Sequence, residues 1–97
     1  MYGIVVIRYR LPLEEVVKVT DEHRAYLREL KAKGILIASG PMDPRTGGAL
    51  LVRVPNENVQ ESLTELRNGD PFFKKNIANY ELIPWAPVIG NEDLDKL

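Results

Sequence analysis

The stretch Tyr2-Gly3-Ile4-Val5-Val6-Ile7-Arg8-Tyr9 restricts the fold more than any other part of the chain. Its β-branched and aromatic residues favour an extended strand. In a strand, Ile4 and Val6 point to one side while Val5 and Ile7 point to the other, so both faces are apolar. A strand of that kind is covered on both faces. The stretch from Ala49 to Val54 repeats the pattern, with Leu50, Val52 and Val54 opposite Ala49 and Leu51. The sheet built from these strands needs two covering layers.

The remaining sequence supplies helices for one layer only. Pro12 fits the first position of a helix, and Glu14 and Glu15 suit the positive end of its dipole. The helix is predicted to reach about Lys33, with Lys31 and Lys33 in the last turn and Gly34 as a left-handed cap. Ile35 to Ser39 reads as a second strand, and Gly40 to Gly48 is turn chemistry throughout. After the third strand, Asn58 with Glu61 three residues on resembles a capping box, with Asn56 as a competing cap. Val59, Leu63 and Leu66 mark the core face of a second helix, which Gly69 ends. Asp70-Pro71-Phe72-Phe73 opens a short turn or helical segment, and Ile77 to Ile83 supplies the fourth strand. The order βαββαβ is the split unit of ferredoxin-like α+β folds, a four-stranded antiparallel sheet with two helices on one face. The other face is expected to meet a second copy of the chain, giving a homodimer through the sheet face with room for higher association. Residues 1–86 read as one α+β domain. Residues 87–97, acidic at Glu92, Asp93 and Asp95, read as a loose or exchanged tail.

Composition narrows the partners. With 97 residues the chain makes one small domain, and association would help its unfavourable ratio of surface to volume. Thirteen Lys+Arg against 14 Asp+Glu give no bulk attraction to nucleic acid or to an anionic membrane. There is no cysteine, hence no disulfide, thiolate nucleophile or cysteine metal site, and one histidine cannot build a multi-histidine zinc centre. Met1 runs straight into strand sequence, and no run approaches the ~18 apolar residues of a membrane span. A cytoplasmic protein is the default expectation.

That single histidine is the candidate centre. His23 shares one helical face with Leu13, Val16, Val17, Thr20, Leu27 and Leu30, so a side chain that titrates near neutrality is aimed inward. If the first strand runs upward, the upper sheet edge gathers Ser39-Gly40-Pro41, the glycines Gly47 and Gly48, and Asp70. His23 stands eleven helical residues above Gly34, roughly 16 Å. Ser39 stands five strand residues above the same glycine, also roughly 16 Å. Asp70 then comes within reach of the imidazole, and a carboxylate-held histidine is a general acid/base unit. The plain alternative for Asp70 is a helix cap before Pro71. Ser39 sits in Ala38-Ser39-Gly40-Pro41, which lacks the elbow of a serine nucleophile, so it reads as a ligand-binding hydroxyl. Gly40 lets backbone N–H groups approach a ligand closely. Arg24 and Arg28 flank the histidine and would attract an anion, and Trp85 is a candidate pocket wall. Tyr26, Phe72, Phe73 and Tyr80 read as core or interface, and Asp43 as a turn residue.

Together, His23 with Tyr26-Leu27, Gly34-x-Leu36, Ser39-Gly40-Pro41-Met42, Gly47-Gly48, Asp70-Pro71-Phe72 and Pro84-Trp85 resemble the YCII-like family over about residues 2 to 86. The resemblance implies a ferredoxin-like domain whose sheets pair face to face in a dimeric α/β barrel, and an active-site His-Asp pair that falls here on His23 and Asp70. One member of that family is a dehydrochlorinase of a chlorinated hydroxyhydroquinone, and similar barrels host lactone isomerases and monooxygenases. The leading expectation is a cofactor-free lyase, dehalogenase or isomerase. In it His23 moves the proton, Asp70 orients the ring, and Ser39, Gly40, Pro41, Arg24 and Trp85 contact the substrate. The rival is a non-catalytic ligand-binding or oligomerisation module with His23 as a core residue.

Overall fold

In a computed structural model that describes residues Met1–Leu97, the eight elements follow the expected order with one addition. They are β1 (Tyr2–Tyr9), α1 (Leu13–Ala32), β2 (Leu36–Pro41), β3 (Gly47–Arg53), α2 (Val59–Gly69), α3 (Pro71–Lys74), β4 (Ala78–Trp85) and α4 (Asn91–Asp95). The sheet order is β2-β3-β1-β4, with every neighbouring pair antiparallel. This is the ferredoxin-like α+β architecture. No helix is long and apolar enough to cross a membrane.

The two-faced strand sits in the middle of the sheet. Val5 and Ile7 are buried against the helices together with Leu50 and Val52 of β3 and Leu63 of α2. Ile4 and Val6, opposite Leu51, Ala49, Ile83 and Glu81, lie on the outer face and stay partly exposed. Gly47 allows β3 to begin two residues earlier than Ala49. A Cβ there would lie 1.9 Å from the Ile7 carbonyl oxygen, so any larger residue would force β1 and β3 apart.

Three local expectations are corrected. Pro12 caps α1 from outside, and the helix starts at Leu13. Asn58 makes no capping-box bond: it adopts φ 56° and ψ 42°, whereas a side-chain cap bond needs an extended cap residue. Asparagine tolerates this left-handed conformation, and the Asn58 carbonyl accepts the Ser62 N–H instead. The C-terminal stretch is not loose along its whole length. Gly90 takes φ 84° and turns the chain into α4, which docks where the Tyr2 hydroxyl donates to Asp95 and Arg53 Nη2 donates to the Leu94 carbonyl at 2.8 Å. Val88 and Ile89, in the connection to α4, are exposed.

One irregularity positions the site. Between Leu36 and Ala38 the register of β2 against β3 shifts by one residue. Leu36 pairs with inward-facing Val52, yet Ser39 pairs with inward-facing Leu50 and Pro41 with Gly48. An uninterrupted strand would give residues 36 and 39 opposite faces. The bulge turns Ser39 and Pro41 toward the helices.

Candidate active site

His23, from the middle of α1, meets Asp70 at the junction of α2 and α3. Its Nδ1 lies 2.8 Å from Asp70 Oδ1, and since a carboxylate can only accept, Nδ1 is the donor. The imidazole side chain is 12% exposed and the carboxylate 1%. The same Oδ1 accepts the Phe72 N–H at 3.0 Å, which makes Asp70 the N-cap of α3, with Pro71 beginning that helix. Cap and histidine partner are therefore one oxygen atom performing two tasks. The backbone bond anchors the carboxylate, and the anchored carboxylate holds the ring.

Phe72 holds the ring from its face as well. The two ring planes are 5° apart with centroids at 4.0 Å, and Tyr9 meets Phe72 edge-on at 6.0 Å. With Nδ1–H committed to Asp70, Nε2 carries the lone pair. Nε2 is neither paired within the chain nor sealed from solvent, and His23 lines a cleft of about 180 Å³. A basic nitrogen fixed in orientation beside an open cavity can accept or return a proton.

The cleft lies between α1 and the inward face of β1–β3. Thr20, His23, Arg24 and Leu27 come from α1, and Ser39, Gly40 and Pro41 from β2. Five of the seven residues singled out in the sequence thus share one cavity: His23, Arg24, Ser39, Gly40 and Pro41. Asp70 stands behind the histidine without lining the cleft. Trp85 lies on the outer face of the sheet, where it lines an open depression with Ile4, Leu51, Ser39, Gly40 and Pro41, and it forms no wall of the cleft at His23. Its phase along β4 is opposite to that of Tyr80 and Leu82, which face the helices. Arg28 sits farther along α1 in an exposed groove with Arg24 and Lys31. No cluster of three or more histidine, cysteine or acidic side chains forms that could hold a metal ion.

Two polar residues of the site escaped the sequence reading. Arg45, in the β2–β3 loop, lines the cleft. Tyr80, on β4, approaches the pair from behind. The Tyr80 hydroxyl and Asp70 Oδ2 are both buried and neither completes a regular hydrogen bond. Burial first, and then the negative charge of Asp70, push the Tyr80 phenol far above its usual value. Tyr26, whose hydroxyl donates to the Leu66 carbonyl at 2.7 Å, is raised by burial and then by the Asp70 charge.

The tyrosine shift has a measurable consequence for stability. An unfolded tyrosine loses its proton near pH 10.0, whereas folded Tyr80 keeps it. Above that pH the native chain binds more protons than the unfolded chain, so stability that is fully present below it declines as pH rises. Tyr80→Phe removes the linkage. Between about pH 8 and about pH 11 the urea midpoint of the wild type is expected to fall further than that of the variant. Parallel declines would show that Tyr80 ionises as in the unfolded chain.

A sequence model of the YCII-related domain matches residues 2–86. No curated protein is similar enough in sequence to count as a match. Among solved structures, the chain resembles a 5-chloro-2-hydroxyhydroquinone dehydrochlorinase from Burkholderia phenoliruptrix in complex with 2,5-dihydroxybenzoquinone. The TM-score is 0.75 at 21% sequence identity, over 91% of this chain and 96% of that one. The likeness extends the agreement in fold to nearly the full length of both.

Proposed function

The chain belongs to the YCII-related domain family, and from that premise we propose that it is a small-molecule enzyme of the lyase, dehalogenase or isomerase type, worked by acid/base chemistry at His23. One observation carries this reading: the 2.8 Å bond from Nδ1 to a buried carboxylate, with the other ring nitrogen left open to the cleft. A histidine kept only for packing needs neither the fixed tautomer nor the cavity. In the proposed reaction Nε2 removes an O–H or C–H proton from the substrate. The freed electron pair then expels a leaving group such as halide, or the proton returns to a different carbon. Asp70 orients the ring. Ser39 and the backbone at Gly40 are placed to hold a substrate oxygen, and Arg24 stands at the rim.

The cleft has room for about one ring. A void of about 150 Å³ in another protein's apolar core accepts benzene. The cleft here, near 180 Å³ and walled by Ile7, Leu27, Leu50 and Phe72, suits a six-membered ring with a few small substituents. That the structurally similar dehydrochlorinase holds a dihydroxybenzoquinone supports the same class. The test is to screen hydroxylated and halogenated single-ring compounds for thermal stabilisation, then measure turnover of the hits by wild type and His23→Asn. Ligands that bind without turning over would favour a binding module.

We further propose that the outer face of the sheet pairs with a second copy. Ile4, Val6, Leu51 and Ile83 form an apolar outer face with Trp85 at its edge, and this chain has no element that covers its centre. Sedimentation of the wild type is expected at twice the 11.0 kDa chain mass, and of Leu51→Glu at the chain mass. A monomeric wild type at micromolar concentration would refute the pairing.

A further inference from the structure

The cleft is cationic in a protein whose net charge is −1. Its lining includes two arginines, Arg24 and Arg45, and no aspartate or glutamate. Arg24 is exposed, as helix arginines usually are, and needs no ligand to explain it. Arg45 is different. It is half-buried, its Nε is shut off from solvent without a hydrogen-bond partner, and its guanidinium joins none of the four ion pairs. The other sheet and loop arginines are engaged: Arg8 with Glu81, Arg10 with the Asn76 carbonyl, Arg53 with the Leu94 carbonyl. The Arg45 Nη groups also make no bond within the chain but, unlike Nε, are not shut off from solvent, so they are the donors that an anion entering the cleft can meet.

The loop that carries Arg45 is closed on itself. Met42 N–H donates to the Gly47 carbonyl at 2.9 Å, and Thr46 N–H donates to the Pro44 carbonyl at 2.8 Å. These bonds tie the Arg45 backbone to the mouth of the cleft, beside Gly48 and Pro41. The unpaired cation therefore sits in the cavity that His23 opens onto, next to the apolar wall of Leu50 and Phe72.

We propose that Arg45 is the residue that binds the substrate's negative charge, so that the cleft selects single-ring oxyanions (carboxylates, phenolates or enolates) over neutral molecules of the same shape. The proposal deepens the reading of this cleft as a substrate site and rests on it, while leaving the reaction open. A guanidinium fork matches a carboxylate or a pair of ring oxygens in geometry as well as charge. The ring packs on the apolar wall and its oxygen lies on Arg45. A cation at that position also faces any enolate formed when His23 removes a proton.

The test is a binding experiment that needs no turnover. Calorimetric titrations of the full chain use benzoate and 2,5-dihydroxybenzoquinone (ionised at neutral pH) as anionic probes, and benzamide as the neutral isostere of benzoate. The wild type and His23→Asn are expected to bind at least one anion, with benzamide at least about 10-fold weaker than benzoate. Arg45→Gln is expected to weaken anion binding about 10–100-fold and leave benzamide unchanged, with Arg45→Lys between the two. Anion affinity unchanged in Arg45→Gln, benzamide binding as well as benzoate, or no anion bound at millimolar concentration would each overturn the proposal. Should Arg45→Gln fail to fold by circular dichroism, the benzoate–benzamide comparison in the wild type and the Arg45→Lys variant decide it. The two readings fail separately. A catalytic His23 with anion binding indifferent to Arg45 defeats only this inference, whereas Arg45-dependent binding with turnover indifferent to His23 defeats only the acid/base assignment.

Discussion

Replacing His23 by asparagine is expected to lower turnover of a substrate found by screening by about 10²–10⁴-fold, the usual contribution of a positioned general acid/base. Asparagine is the informative choice. Its side-chain N–H₂ group occupies nearly the place of Nδ1 and still donates to Asp70 Oδ1, so the buried carboxylate keeps its partner. What is lost is the second nitrogen, which faces the cleft. Alanine would instead leave a carboxylate that is 1% exposed without its main side-chain donor, and about 1–3 kcal/mol of stability would go with it. The loss of rate should fall mainly on kcat, because the proton is transferred in the transition state and the substrate is held by other residues. A variant that keeps wild-type kcat would remove His23 from the chemistry, whatever its effect on stability.

How much of this was legible in the sequence depended on how far apart the contributing residues lie. The sheet and its two-sided core could be read from Ile4–Ile7 and Leu50–Val54, because alternation along a strand is local. The meeting of His23 with Asp70 could be anticipated as well: chain direction puts Asp70 at the upper sheet edge, the rise per residue puts His23 near it, and the family resemblance implies the same pair. The bulge before Ala38 could not. It reverses the facing of Ser39 and follows from the pairing of β2 with β3, which no run of residues in β2 announces. Ser39 was thus placed at the right level by a height argument that assumed a regular strand. Arg45 was missed for a related reason. In a turn rich in proline and glycine an arginine looks solvated, and only the fold of the loop over the cleft desolvates its Nε. Tyr80 looked like a core aromatic, and by burial it partly is. Its hydroxyl gains meaning only from Asp70, ten residues earlier and across an element boundary. Trp85 is separated from His23 by strand phase: it lines an outer depression with Ser39, Gly40 and Pro41, on the face of the sheet opposite the His23 cleft.

Asp70 carries the second large effect, and its two tasks can be separated by substitution. In Asp70→Ala both donors of Oδ1 are stranded, the Phe72 N–H and the His23 Nδ1–H. Loss of a cap costs about 0.5–2 kcal/mol. A buried donor left unsatisfied costs about 1–3 kcal/mol more. For a domain of this size each kcal/mol moves the melting temperature by about 4–8 °C, so a drop of about 6–40 °C is expected in a thermal scan. Asp70→Asn differs. Its carbonyl oxygen can still accept the Phe72 N–H, so α3 keeps its cap and most of the stability remains. The amide, however, offers no negative charge to the ring when His23 takes up a proton. If its N–H₂ group faces Nδ1, it reverses the tautomer and places the proton on Nε2, where no base is then available. Turnover should therefore fall by about 10²–10⁴-fold in a protein that melts within a few degrees of the wild type. Should Asp70→Asn turn over normally while Asp70→Ala melts early, Asp70 would be a helix cap that only happens to touch the histidine.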